Sequence, residues 1–112
     1  MPIIVQKYGG TSIGSIKKIS KVADKIISEK EKGNDIIVVV SAMSGETNRL
    51  IELAKSIDKD VNGREYDVLI STGEQVTTSL VAMTLIKKGH KAISLTGQQA
   101  GIITDSIFNK AR

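Results

Sequence analysis

The stretch that decides the fold is VQKYGGTSIGS, residues 5–15, in which a lysine and an aromatic residue precede two adjacent glycines. Upstream of the glycines, residues 2–6 form a short, mainly apolar run typical of a β-strand. Downstream, apolar residues recur every three or four positions, as on one face of an amphipathic helix: Ile13, Ile16, Ile19, Val22, Ala23, Ile26 and Ile27. The stretch therefore predicts a strand, a glycine loop and a helix, in that order.

A second strand follows that helix. Gly33 lies just past the predicted helix, where a glycine commonly ends a helix. Residues 36–40 are IIVVV, with no polar residue among them. Such a continuous β-branched run is typical of a parallel strand covered on both faces, and the order strand–helix–strand predicts a right-handed crossover. We predict an α/β fold in which a mainly parallel sheet is flanked by helices in three layers.

The rest of the chain continues this alternation. Residues 46–57 carry the apolar spacing of a helix, and residues 64–70 predict a further helical segment. Thr72 and Gln75 fit a capping box, which predicts that a separate helix begins there and runs to Gly89. Residues 92–95 and 101–104 are predicted as short strands.

Composition limits the classes of function. The formal charge is +4 and the pI is about 9.4, but the lysines alternate with acidic residues and only three aromatic residues are present. We therefore interpret the lysines as a solvated basic helix face. Nucleic-acid binding is the weakest of the functional hypotheses. No apolar run is long enough to cross a membrane, and the absence of cysteine excludes disulfides and fits a cytoplasmic protein.

The glycine loop is a candidate anion site. In open α/β sheets ligands favour the carboxyl ends of strands, and glycines let a phosphate approach backbone amides closely. Lys7 would add a compact positive charge. The ordinary structural explanation is a tight turn in which Ser12 caps the helix and Lys7 points to water. Local sequence alone leaves these two interpretations balanced, because the loop is neither a Walker A motif nor a GxGxxG motif.

Four blocks of sequence resemble the aspartate kinases, members of the amino-acid kinase superfamily. They are VQKYGGTSI, VVVSAMSGETNRLIELA, ISTGEQVTTSLVAMTL and SLTGQQAGIITD, and they occur in the family's order over nearly the whole chain. The resemblance implies transfer of the γ-phosphoryl group of ATP to the side-chain carboxylate of L-aspartate, with Mg²⁺ accompanying the nucleotide. That reaction is the first step of lysine, threonine and methionine biosynthesis.

The resemblance also implies roles for individual residues. Lys7 would be the catalytic residue that stabilises charge on the transferring phosphoryl group, while the amides of Gly9 and Gly10 would hold the phosphates. Other phosphate-binding residues would be Tyr8, Thr11, Ser12 and Ser41. A catalytic base is not needed, because the attacking carboxylate is already ionised near neutral pH. We assign no residue as a metal ligand.

Two further residues match substrate-binding positions of the family. Thr47 would contact the amino acid, and Glu74 would bind its α-ammonium group through a charge-assisted hydrogen bond. The ordinary explanation of Thr47 is a first-turn threonine, and that of Glu74 is an acid favoured by the helix dipole.

The resemblance covers only about the first half of a kinase domain. The family's Gly-Gly-Ser-Asp segment, its adenine pocket and its regulatory ACT domains have no counterpart in residues 1–112, so we expect residues 1–112 alone to be inactive. The full-length protein is expected to be a cytoplasmic homo-oligomer. Two alternatives stay open: a related amino-acid kinase with another substrate, and a non-catalytic module that pairs with a kinase subunit through sheet edges.

Overall fold

A computed structural model of the protein describes residues 2–95. Within that range the elements are β1 (Ile3–Tyr8), α1 (Ile16–Glu31), β2 (Asp35–Val40), α2 (Glu46–Ile57) and α3 (Arg64–Lys87). The two strands pair in parallel, with Ile3 opposite Asp35 and Tyr8 opposite Val40. The predicted α/β class with a parallel sheet is confirmed.

The two faces of this sheet differ in exposure. One face, which includes Tyr8, Ile36 and Val38, packs against the core formed with α1 and α3. The other face carries four β-branched residues that are 46–65% exposed, and we call them the exposed sheet face: Ile3, Val5, Ile37 and Val39. Residues 2–95 thus supply the sheet and one helical layer, and the second layer of the predicted three-layer arrangement is not found among them.

The core lies between the sheet and the facing sides of α1 and α3. Most of the apolar stripe of α1 is buried as its spacing predicts, and Val81 and Leu85 of α3 pack against it; the buried residues are Ile19, Val22, Ala23 and Ile26. Ile16, which the spacing also assigned to the stripe, is 63% exposed in the first turn of α1, so the prediction is wrong for that residue. Burial of each large aliphatic side chain contributes roughly 1.5–3 kcal/mol relative to exposure. This packing holds α1 and α3 against β2, which in turn pairs with β1.

The prediction of a helix boundary at residues 71–74 is wrong, because α3 runs through them. The hydroxyl of Ser71 donates to the Val68 carbonyl at 2.8 Å, and that of Thr72 donates to the Leu69 carbonyl at 2.6 Å. Hydroxyls that bond the preceding turn in this way are compatible with a continuing helix. The apparent capping box is therefore an interior segment of α3.

The first helix also begins later than predicted. Its N-cap is Ser15, whose Oγ accepts from the Lys18 amide at 3.2 Å, whereas Thr11 and Ser12 lie in the preceding turn. That turn closes when the Ser12 amide donates to the Gly9 carbonyl at 3.0 Å. A turn and a bend therefore separate the glycines from the helix N-terminus.

The end of the described range differs from prediction as well. Residues 92–95 form no strand, although Ala92 packs against the core. The strand predicted at residues 101–104 lies outside the described residues. Among the helices of residues 2–95, none combines the length and apolar character needed to span a bilayer.

Candidate functional site

The glycine loop leaves space for a ligand on one side. A Cβ placed on Gly9 would have no atom within 4 Å, whereas a Cβ on Gly10 would lie 2.9 Å from the Ala42 carbonyl oxygen. Within residues 2–95 the amides of Gly10 and Thr11 donate to no hydrogen-bond acceptor. Open space above Gly9 and amides without partners are what an approaching phosphate requires.

Lys7 and Tyr8 lie on opposite faces of β1 because successive side chains alternate across a strand. Lys7 is exposed, opposite Val39 and next to the exposed sheet face. Tyr8 is half-buried against the core, and its hydroxyl donates to Oε1 of Gln6 at 3.0 Å. Burial, and secondarily the Glu29 carboxylate, raise the pKa of the Tyr8 phenol. The structure thus places Lys7 in solvent and packs the Tyr8 ring against the core.

Lysines of α1 border the glycine loop. The Lys18 ammonium donates to the Thr11 carbonyl at 3.0 Å. A shallow depression of about 250 Å³ lies there, and it is lined by Thr11, Ser12, Lys18, Lys21, Val22 and Lys25. Sequence reasoning treated these lysines only as a solvated face. Their spacing of three and four residues after the loop is the signal that could have placed them beside it.

A second loop, which follows β2, packs directly onto the glycine loop. The Ser41 amide donates to the Tyr8 carbonyl at 3.2 Å, and the Ser44 amide donates to the Gly10 carbonyl at 3.2 Å. Ser41 is half-buried at this junction. The parallel pairing therefore brings Ser41 and the glycine loop to the same edge of the sheet.

The second loop leads into α2, where Thr47 lies exposed in the first turn. Gly45 precedes the helix with a φ of 84°, a conformation that favours glycine. Next to Thr47, the Glu46 carboxylate accepts from Arg49, with Nη2 and Oε1 2.6 Å apart. This hydrogen bond lowers the pKa of the Glu46 carboxyl and raises that of the guanidinium. The first turn of α2 therefore carries a Glu46–Arg49 ion pair beside Thr47.

Glu74 lies exposed in the interior of α3. The explanation of Glu74 by the helix dipole assumed that this residue lies in the first turn of a helix. Because α3 begins at Arg64, Glu74 is not in a first turn and that explanation does not apply. The preceding residue, Gly73, is buried, and a Cβ placed there would lie 3.0 Å from the Ala42 Cβ. The loop after β2 therefore packs against the same turn of α3 that carries Glu74.

The site residues predicted from sequence are only partly brought together. Gly10, Ser41 and the turn of α3 preceding Glu74 gather around Ala42, but no hydrogen bond or ion pair joins Lys7, Thr47 and Glu74 within residues 2–95. A larger apolar cavity of about 610 Å³ lies elsewhere, between α1, β2 and α3, with Ala92 at its border. Over the same range, no cluster of three acidic or histidine side chains is placed to hold a metal ion.

Comparison with known proteins decides the family. The sequence model of the Amino acid kinase family matches residues 2–112. The chain belongs to this family. The glycine loop at the end of β1 is therefore a feature of an amino acid kinase fold rather than an isolated motif.

Among individual relatives, the chain is most informatively compared with aspartate kinases. It is 59% identical over 112 residues to an aspartate kinase of Pseudomonas putida, and 56% identical over 112 residues to an aspartokinase of Geobacillus stearothermophilus. All of this chain is aligned in both comparisons, but it spans only 27% and 28% of the relatives' own lengths. The similarity therefore concerns somewhat more than a quarter of each relative.

Two solved structures are similar to this amino acid kinase chain. The crystal structure of an aspartate kinase from Synechocystis matches with a TM-score of 0.83 and 46% identity, over 87% of this chain and 17% of that one. E. coli aspartokinase III, in complex with aspartate and ADP, matches with a TM-score of 0.64 and 21% identity, over 79% of this chain and 29% of that one. The second match shows the shared fold alone.

Proposed function

We propose that this chain is part of an aspartate kinase, which transfers the γ-phosphoryl group of ATP to the side-chain carboxylate of L-aspartate and forms 4-phospho-aspartate. The observation that carries the proposal is the junction at Ala42, where the glycine loop, the loop after β2 and the Glu74 turn of α3 meet. The identity of 59% to an aspartate kinase of Pseudomonas putida supports this substrate.

In this proposal the glycine loop binds the phosphates. The amides of Gly10 and Thr11 donate to phosphoryl oxygens through the open side at Gly9, and Lys7 neutralises charge as the phosphoryl group moves. Lys18 beside Thr11 strengthens the positive field. Because phosphoryl transfer depends mainly on positioning and charge neutralisation, amides and ammonium groups suffice as the chain's own contribution.

The amino acid would be held from the helical side. Glu74 binds the α-ammonium group of aspartate, Thr47 contacts the same substrate, and Ser41 donates to a phosphate. The acceptor carboxylate needs no base, since it is ionised at neutral pH. When bound, Mg²⁺ would supply neutralisation of the triphosphate, and we assign no residue of this chain as its ligand.

A chimeric enzyme tests this proposal. The matching segment of the Pseudomonas putida aspartate kinase is replaced by this chain, and ADP release is measured with Mg-ATP and each candidate amino acid. We expect turnover that depends on aspartate and falls by roughly a hundredfold or more in Lys7→Ala. Lys17→Ala is the matched control, because Lys17 is an exposed lysine of α1 outside the proposed site.

Two results would overturn the assignment. An unchanged rate in Lys7→Ala removes this lysine from the mechanism. A chimera that prefers glutamate or acetylglutamate to aspartate supports the alternative of a related amino-acid kinase. The Lys17→Ala control applies to the expected loss of rate: if Lys17→Ala lowers the rate as much as Lys7→Ala does, the loss reflects a missing surface charge and not a catalytic role of Lys7.

A second candidate function is favoured by the exposed sheet face. Four exposed β-branched residues on a parallel sheet suit a chain that pairs with the remaining part of a kinase subunit. Co-expression with the complementary part of the Pseudomonas putida enzyme tests it. Activity restored only when both parts are present supports pairing, and Ile37→Lys on the exposed sheet face should then abolish restoration.

We also propose that the complete protein is a cytoplasmic homo-oligomer whose product enters lysine, threonine and methionine synthesis. The absence of cysteine and the aspartate kinase relatives support this placement. Light scattering of the chimera at several concentrations tests the oligomeric state. Growth of an aspartate-kinase-deficient strain on media lacking these amino acids tests the pathway.

A further inference from the structure

Ala42 is confined between two glycines from different parts of the fold. On one side, a Cβ added to Gly10 would lie 2.9 Å from the carbonyl oxygen of Ala42. On the other side, a Cβ added to Gly73 would lie 3.0 Å from the Cβ of Ala42. Contacts of 3.4–4 Å are ordinary, so neither glycine has room for a methyl group unless a neighbour moves. Ala42 is only 8% exposed, which shows that the space around it is filled.

Each of these three residues belongs to a segment with a proposed ligand. Gly10 is part of the glycine loop, Ala42 follows Ser41, and Gly73 precedes Glu74 in α3. A hydrogen bond of 3.2 Å from the Ser44 amide to the Gly10 carbonyl holds the first two segments together. Ala42 is therefore the contact through which the phosphate side and the amino-acid side of the site touch.

We infer that Ala42 and Gly73 are positioning residues that set the distance between the glycine loop and the Glu74 turn of α3. In terms of the proposed function, on which this inference rests, they set the approach of the phosphoryl donor to the aspartate acceptor. Neither residue needs to touch a substrate. They set this distance because only the methyl group of Ala42 separates the loop after β2 from the backbone of α3 at Gly73.

The helix itself gives a reason to expect alanine rather than glycine at position 73. Glycine inside a helix is less stable than alanine, because its unfolded form has more conformational freedom. The same position faces the Leu50 Cδ1, which would lie 3.3 Å from an added Cβ. A buried glycine that weakens α3 and meets two tightly packed neighbours is explained by close approach of the loop.

The test is Gly73→Ala in the active chimera. The new methyl must displace Ala42 by a few tenths of an ångström, and such misplacement should lower kcat by roughly tenfold while KM changes less. Thermal stability should change little, because the helix preference gained with alanine is offset by the packing cost against Ala42 and Leu50. A merely structural role for Gly73 would instead lower stability and activity together.

The contact predicts a specific rescue. Ala42→Gly removes the methyl group that the new Cβ would meet, so the double variant Gly73→Ala with Ala42→Gly should recover most of the lost kcat. Ser79→Ala is the matched control, since it adds the same helix preference at an exposed position of α3. It should keep the parent rate.

A second readout separates this inference from the proposed function. In the 112-residue chain, Gly73→Ala should shift the NMR amide resonances of Gly10 and Ser44, and Ala42→Gly should reverse the shift. Full kcat in Gly73→Ala, no rescue in the double variant, or an unmoved Gly10 resonance overturns the inference. If the chimera is inactive, the kinase proposal fails, but the resonances still decide whether Ala42 couples the two segments.

Discussion

The two glycines of the loop should respond in opposite ways to the same substitution. In Gly9→Ala the methyl group enters open space, and Gly9 is not among the glycines with positive φ, so reduced freedom of the unfolded chain should stabilise the protein by about 0.4–1 kcal/mol. In Gly10→Ala the methyl group meets the Ala42 carbonyl oxygen at 2.9 Å, and overpacking of this kind costs roughly 1–3 kcal/mol. The unfolding free energies of the two variants should therefore differ by about 1.5–4 kcal/mol.

Urea denaturation of both variants of the 112-residue chain measures this difference. In the chimera, Gly9→Ala should also raise the KM for ATP by roughly tenfold, because its methyl group occupies the space into which a phosphate would come. Equal stabilities of the two variants would refute the packing argument. A stabilised Gly9→Ala variant with an unchanged KM for ATP would refute the use of that space by the nucleotide.

Three further predictions concern the scaffold. Ser15→Ala should lower the unfolding free energy by about 1 kcal/mol in urea denaturation, because Ser15 is the N-cap, whereas Ser12→Ala should change it little. Ile19→Ala should lower it by about 2–5 kcal/mol and Ile19→Val by less, because Ile19 is fully buried; equal effects would contradict its core position. The raised pKa of Tyr8 means that its contribution to stability is present below its ordinary pKa of 10.0 and is lost as pH rises through the folded value. Ultraviolet titration should show that Glu29→Gln moves this pKa partly back, and an unmoved pKa would remove Glu29 as a cause.

The elements that could be predicted are those with strong local periodicity. The apolar stripe of α1 and the β-branched run of β2 each point to one conformation, and α2 has the predicted bounds of residues 46–57. Hydrophobic spacing is sufficient there because it reflects one buried face. The parallel pairing was predicted from the strand–helix–strand order, and it places Ser41 next to the glycine loop.

The errors have physical reasons that lie in hydroxyl bonds within α3 and in tertiary contacts. Hydroxyl residues and a glycine at positions 71–73 resemble a helix start, but Ser71 and Thr72 bond to the preceding turn and Gly73 packs against Ala42. The contact of Gly73 is not visible in the local sequence, since Ala42 lies some thirty positions away. The position of Lys18 beside Thr11 likewise depends on how the turn folds back on α1.

The length of α3 has a consequence for how substitutions act at a distance. Glu74 and the buried Val81 belong to one uninterrupted helix and are about 10 Å apart along its axis. Because α3 is continuous and anchored in the core, a tilt of the helix at one residue also moves the other residues. In terms of the proposed function, affinity for the amino acid would therefore be tuned by interior side chains that never approach it, and variants selected for altered substrate preference are expected to carry changes deep in the hydrophobic interior.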